Sequence, residues 1–475
     1  MNSTSCNPEQ TYDQMRSILE PKSVAIIGAS NKIHRVGGAI TRNALESNYR
    51  GDIYLVNPRH SKIFGKPVYT QLSEISGPVD LIEIIIPAPK IPMIMEEAVA
   101  KGVKGAIIIS AGFAEIGNQD LQDEVMHIAQ RGGIRVLGPN CFGIINTEID
   151  VDLSFTFTKA LKGSLAFVSQ SGAMCCGTLD WAYREELGFS KFINLGNKCD
   201  LDESDALLYL AKDPQTEIIA MYLEGITDGR RLYQTVRSVS QSKPIIMLKA
   251  GVTEPGARAA LSHTASIAGS SRIVKAAFKQ AGATVVEDVE ELFDAAQALV
   301  YPSVKGSKVA IASNAGGLGV MTTDWCHRMG LHVPHLTSQT IKSLQEQLLP
   351  IASPLNPVDM TGSADYTTYQ NVLEVLASTD SIDMIITIFV SQGLVTSDGP
   401  ARAVVDILRR YNKPIFTYWM GGNSIFNGVR ILRRANIPVY TSPAKVAKAA
   451  ATLLSHSRWL QKMKQENESG SNTCT

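Results

Sequence analysis

SLAFVSQSGAMCCGTLDWAYREE, Ser164 to Glu186, reads as three pieces in a fixed order. Ser164–Val168 is a short apolar run with strand character. Ser169–Ala173 is a turn of hydroxyl, amide and glycine. The rest is a helical pattern rich in small residues. The plan returns at Val309–Gly330, VAIASNAGGLGVMTTDWCHRMG, with SNAGG (Ser313–Gly317) in the place of SQSGA. A looser version stands at Ser23–Asn48, where SVAIIGA leads through GASNKIHRVGG into AITRNALESN. Strand, glycine turn and helix, repeated, predict parallel sheets with helices on both faces.

The segments around each unit fit that plan. After the first come DIYLVNP (Asp52–Pro58), VDLIEIIIP (Val79–Pro87), a helix over 91–101, GAIIISAGF (Gly105–Phe113), a helix over 120–131 and RVLGPNCFG (Arg135–Gly143). This is a Rossmann-like order. Its turn departs from G-x-G-x-x-G, since Gly28 is followed by Ala29, Ser30 and Asn31, with Gly37 and Gly38 farther on. The strand ending at Val56 gives way to Asn57, Pro58 and Arg59 rather than to an acid, which argues against a nicotinamide dehydrogenase. Backbone N–H groups at the helix start can still hold phosphate. KFINLGN, IIAMYLEGI and PIIMLKAG follow the second turn; MIITIFV, PIFTYWMGG and a closing helix over 442–460 follow the third.

SQSGA and SNAGG each bring glycine and free N–H groups to a helix N-terminus, where the helix dipole favours negative charge. Both are candidate anion sites. Late in the second unit runs GARAALSHTASIAGS (Gly256–Ser270), small-residue sequence with one histidine, His263, which reads as a mobile surface loop; YPSVKG (Tyr301–Gly306) then separates the second and third units. Those residues alone leave His263 either as an ordinary loop histidine or as a ring presented to a ligand.

Composition narrows the function. Among 475 residues, 44% are hydrophobic and 19% charged, suiting a globular chain of about three domains. Lys+Arg and Asp+Glu both number 45, which gives no support to nucleic-acid or anionic-membrane binding. No apolar run approaches a membrane span, and the polar start MNSTSCNPEQ lacks a secretory h-region. Seven scattered cysteines without a C-x-x-C pair predict reduced thiols, a cytoplasmic setting and no metal site.

Taken together the motifs resemble the NDP-forming acyl-CoA synthetases, the superfamily of succinyl-CoA synthetase, over nearly all of 21–454. The resemblance is carried by GASN at Gly28, VNP at Val56, SAGFAE at Ser110, LGPNCFGI at Leu137, SQSGAM at Ser169, YLEGI at Tyr222, SHTASIAGS at Ser262, SNAGGLG at Ser313 and NPVDMTG at Asn356. It departs at Ala265 and Ser271, where the family usually has Gly and often Asp.

The resemblance implies an α/β fold of three doubly wound domains. These are a Rossmann-like CoA-binding domain (1–147), a flavodoxin-like ligase domain carrying a phosphohistidine (148–302), a second flavodoxin-like ligase domain (303–462), and a disordered tail (463–475). CoA would lie against Gly28, Ala29, Ser30, Asn31, Asn57, Pro58, Arg59, Pro87 and Asn140. Phosphate would lie at Ser169, Gln170, Ser171, Gly172, Ser313, Asn314, Gly316 and Gly317, the two helix N-termini converging on the phosphohistidine. His263 matches the phosphorylated histidine and Glu224 the acid that holds its far nitrogen. Glu115 of SAGFAE is the weakest candidate. The reaction implied is acyl-CoA, phosphate and ADP going reversibly to carboxylate, CoA and ATP through acyl phosphate. With no room for an ATP-grasp module, the resemblance implies a separate ATP-grasp beta subunit in an α2β2 enzyme, which would hold ADP/ATP and Mg2+. The alternative is a CoA- or acyl-CoA-sensing regulatory protein without turnover.

Overall fold

The structure is a computed structural model and describes residues 8–256, 258 and 271–471. The chain divides into two compact units, Met1–Glu287 and Asp288–Thr475.

The first unit holds two sheets. One is built from β1 (Ser23–Ile27), β2 (Asp52–Val56), β3 (Lys62–Ile63), β4 (Lys66–Tyr69), β5 (Leu81–Ile84), β6 (Gly105–Ile108) and β7 (Arg135–Leu137), in the order β3-β4-β2-β1-β5-β6-β7. Only β3–β4 is antiparallel. Without β3 the order is that of the Rossmann sheet, reversing direction between β1 and β5. Successive residues of a strand serve opposite faces. Val24 and Ile26 join one core with the helices Pro8–Leu19 and Val36–Glu46. Ala25 and Ile27 join another with Ile91–Lys101 and Gln119–Gly132. Burial on both faces explains why these strands are almost wholly apolar.

The second sheet comprises β8 (Gly143–Asn146), β9 (Val151–Ser154), β10 (Lys162–Ser169), β11 (Phe189–Asn194), β12 (Ile218–Leu223), β13 (Ile245–Lys249) and β14 (Thr284–Val286). Its order is β14-β13-β12-β10-β11-β8-β9. The five strands from β10 onward are parallel in the flavodoxin order. The antiparallel hairpin β8–β9 extends the edge and straddles the expected border at 147/148. Asn43 ties it to the first domain, its amide donating to Ser154 O (2.7 Å) and Thr156 O (2.8 Å).

The second unit contains β15 (Val309–Ser313), β16 (Val358–Asp359), β17 (Met384–Val390), β18 (Ile415–Met420) and β19 (Val439–Tyr440). All are parallel, in the order β16-β15-β17-β18-β19, so the flavodoxin order recurs. The closing helix runs Pro443–Ser471 rather than stopping at 460, which corrects the expectation of a disordered tail from 463. The added turns, QKMKQENE, consist mostly of strong helix formers, and Met463 is buried. Residues 472–475 lie outside the described residues, and no described helix is long and apolar enough to cross a membrane.

Candidate active site

Three loops meet at the switch point of the first sheet. Gly28–Asn31 follows β1, Asn57–Arg59 follows β2, and Ile85–Pro87 follows β5. Gly28 has φ +96°, and a Cβ there would lie 2.5 Å from Ile85 O. Gly37 packs so closely that its Cβ would lie 2.7 Å from Gly28 O. The spaced glycines thus let helix and strand approach without G-x-G-x-x-G spacing. Asn57 binds the first loop to the second, its amide donating to Ala29 O (2.8 Å) and its Oδ1 accepting from Arg59 N–H (2.9 Å). Ala29 is buried, while Asn31, Pro58, Arg59 and Pro87 are exposed at the crevice rim. Asn140, also exposed with φ +56°, lies on the loop after β7, where its N–H donates to Ser110 O (3.0 Å). Every CoA candidate therefore follows the C-terminal end of a strand, where such sheets bind ligands.

Glu115 is more than a solvated loop acid. It accepts backbone N–H groups of Gly112 and Phe113, and Asn197 donates to it at 2.6 Å. Burial raises its pKa, but these donors outweigh burial and hold it below the ordinary range. The bond to Asn197 joins the first sheet's loop to the loop after β11.

At SQSGA, Ser169 Oγ donates to Ser171 O (3.0 Å) and accepts from Ser171 N–H (3.1 Å). Ser171 Oγ then caps the helix Gly172–Arg184 by accepting Met174 N–H. Ser169 is fully buried, so its hydroxyl builds the turn. Gly172 opens the helix, and its N–H is among the groups without an intrahelical acceptor. Cys175, on the same helix, is buried, and burial pushes its thiol far above the ordinary range, which disfavours thiolate chemistry there.

Gln170, expected at the phosphate turn, has its side-chain oxygen engaged at the neighbouring strand end. Its Oε1 accepts the N–H groups of both Glu224 and Gly225, the latter at 2.9 Å. Glu224, just past β12, is buried. Lys249 Nζ donates to Glu224 O at 2.6 Å and Lys198 Nζ to Gly225 O at 2.8 Å. Burial, then the charge and hydrogen bond of Glu224, push the Tyr222 phenol up to about 12. Burial pulls Lys249 below the usual lysine range; Glu224 opposes this and Lys198 adds to it.

SNAGG repeats the turn. Ser313 Oγ donates to Ala315 O (2.8 Å) and accepts from Ala315 N–H (3.0 Å). Asn314, like Gln170, grips the end of the third strand, pairing with Val390 N–H (2.9 Å) and Val390 O (2.8 Å). Neighbouring side chains differ. Ser169 lies in register with Asn194, and Ser313 with Asp359. A Cβ on Gly316 would lie 2.6 Å from Asp359 Oδ2, whereas Gly317 faces open space. His263 lies outside the described residues, as do 257, 259–262 and 264–270. Lys198, Lys249, Asn194 and Asn197 escaped the sequence reading. A lysine closing the otherwise apolar run PIIMLK was the one available signal.

Family models place a CoA binding domain at 22–147, a succinyl-CoA ligase like flavodoxin domain at 162–299 and a ligase-CoA domain at 309–465. The alpha subunit of ADP-forming acetate–CoA ligase II from Pyrococcus furiosus is 39% identical over 92% of this chain and 97% of its own. The chain belongs to the ADP-forming acetate–CoA ligase family, within the succinyl-CoA synthetase superfamily. The family also includes ADP-forming acetate–CoA ligase I of Archaeoglobus fulgidus, 40% identical over 94% of this chain, of which the chain spans 64%. Among solved structures, the chain is similar to a dinucleotide forming acetyl-coenzyme A synthetase 1 from Ca. Korarchaeum cryptofilum, in complex with phosphate and ADP. It has 33% identity, covers 95% of this chain and 98% of that one, and the TM-score is 0.91. Family members named as alpha subunits imply a partner subunit. Within the described residues, no cluster of His, Cys, Asp and Glu could hold a metal.

Proposed function

We propose that this chain is the alpha subunit of an ADP-forming acyl-CoA synthetase, with acetyl-CoA as the default substrate. The observation that carries the reading is that the likeness covers 97% and 100% of two Pyrococcus furiosus chains named as alpha subunits of ADP-forming acetate–CoA ligases. The crevice at Gly28, Asn57 and Pro87 would take CoA. Phosphate would attack the thioester carbonyl, the C–S bond breaking to release CoA and leave acyl phosphate. A ring nitrogen of His263 would then attack phosphorus, releasing the carboxylate. The phosphoryl group would pass to ADP, held with Mg2+ by an ATP-grasp beta subunit in an α2β2 assembly in the cytoplasm.

The described residues support parts of this sequence. The turn at Ser169–Gly172 offers backbone N–H groups and a helix dipole to phosphate. Glu224 is a buried carboxylate fixed by its own backbone, suited to hold an imidazole N–H and stabilise the ring as it becomes cationic. Domain limits of 1–147, 148–302 and 303–462 fit this division of labour, the hairpin β8–β9 joining the first two.

The test is reconstitution with an ATP-grasp partner, followed by assay of ATP formation from ADP, phosphate and a panel of acyl-CoAs. ATP should form only with both subunits present, and fastest with short acyl groups. CoA binding without ATP formation would instead favour a CoA-sensing regulatory protein.

A further inference from the structure

All four backbone polar groups of Glu224 and Gly225 are taken by side chains from three other strand ends. Gln170, after β10, accepts both N–H groups. Lys249, closing β13, donates to Glu224 O and also to Ala250 O. Lys198, after β11, donates to Gly225 O and pairs with Glu203 at 2.8 Å. The side chains of Lys198 and Glu203 are only 3% and 2% exposed. Bringing ammonium groups into a protein interior costs several kcal/mol of hydration, so carbonyls that could bond to water or amides do not by themselves call for them.

The repeated domain supplies a comparison within one chain. There the third strand, β17, ends at Val390, and Ser391 occupies the place of Glu224. That strand end is held by amides: Asn314 pairs with Val390, and Gln392 donates to Asn314 O at 2.8 Å. The same fold and the same turn are therefore secured without lysine where no acid follows the strand.

We infer that Lys198 and Lys249 are positioning residues for Glu224. Through its backbone they fix where the carboxylate points. This rests on the proposed role of Glu224 as partner of the phosphoryl-carrying histidine. A carboxylate held in line with that imidazole stabilises its protonated form and the cationic ring formed on phosphorylation.

The experiment uses the assembled two-subunit enzyme with labelled inorganic phosphate and acetyl-CoA, and follows label on this chain by rapid quench from about pH 5.5 to 9. Lys249→Met and Lys198→Met should each slow label appearance by about tenfold or more. The KM values for acetyl-CoA and phosphate should stay within about twofold, because neither lysine touches substrate. The acid limb of the pH–rate profile should move to lower pH, as it should in Glu224→Gln. Lys249→Arg, which keeps charge and donor, should recover much of the rate. If Lys249→Met does not assemble, Lys198→Met and Lys249→Arg report the same quantities. Wild-type rate and acid limb in the lysine variants, alongside a slow Glu224→Gln, would overturn the positioning role and leave the function standing. A slow lysine variant with an unmoved acid limb would also overturn it. A wild-type Glu224→Gln would remove the role of Glu224 itself.

Discussion

Gln170 and Glu224 are 54 residues apart in sequence, yet the Gln170 side-chain oxygen accepts the Glu224 backbone N–H and that of Gly225 beside it. The turn expected to receive phosphate and the acid expected to hold histidine are thus one construction. Gln170→Leu leaves two buried N–H groups without their acceptor, at about 1–3 kcal/mol each. A melting temperature lowered by several degrees and a turnover loss larger than the stability loss explains are expected, measured by calorimetry and coupled ATP assay.

The two glycines that open the third-domain helix are predicted to behave differently. Gly316→Ala forces its Cβ against the Asp359 carboxylate, 2.6 Å away, and should destabilise the fold. Gly317→Ala meets nothing within 4 Å and gains helix propensity of about 1 kcal/mol. Its melting temperature should hold or rise, so a raised KM for phosphate would report ligand approach alone.

At the first turn, Gly28→Ala places a side chain at φ +96° and 2.5 Å from Ile85 O. A loss of about 1–3 kcal/mol in stability is expected. CoA titration should show weakened binding, while phosphate KM changes less, because the switch point of the first sheet is the part disturbed.

His456 sets a pH limit on the second unit. It is buried in the helix Pro443–Ser471, its Nδ1 has no hydrogen-bond partner among the described residues, and burial lowers its pKa to about 4. Below the ordinary value of 6.5 the unfolded chain takes a proton that the folded chain refuses. Stability is therefore complete above pH 6.5 and lost as pH falls towards 4, by on the order of 3 kcal/mol. His456→Phe should flatten that acid-side fall in thermal melts between pH 4 and 7. Glu83 acts in the opposite sense. Fully buried on β5 with neither carboxylate oxygen hydrogen-bonded among the described residues, it is held well above its ordinary 4.5 by burial and then by Asp152. The folded chain keeps this proton while the unfolded chain releases it, so stability falls as pH rises from 4.5. Glu83→Gln should melt higher relative to the parent at pH 8 than at pH 5.

The fold was largely legible because buried parallel strands leave apolar runs such as SVAII and MIITIFV, and their turns carry glycine and hydroxyl residues. The helix Pro8–Leu19 was missed. Its residues PEQTYDQMRSIL look polar in line, and only their arrangement puts Met15, Ile18 and Leu19 into the core. The hairpin β8–β9 was missed because its strands are short and complete a neighbour's sheet. At the site, motifs marked Ser169–Gly172 and Glu224. They could not reveal that Gln170 faces Glu224, nor that Lys198 and Lys249 hold it, since such bonds join strand ends far apart in sequence.

The central claim is that this chain carries the phosphoryl group on His263. The direct measurement is mass-spectrometric location of label after the assembled enzyme is mixed with labelled phosphate and acetyl-CoA. An acid-labile, base-stable label on His263, absent from His263→Ala together with ATP formation, is the predicted result. Near-normal ATP formation by His263→Ala would contradict it.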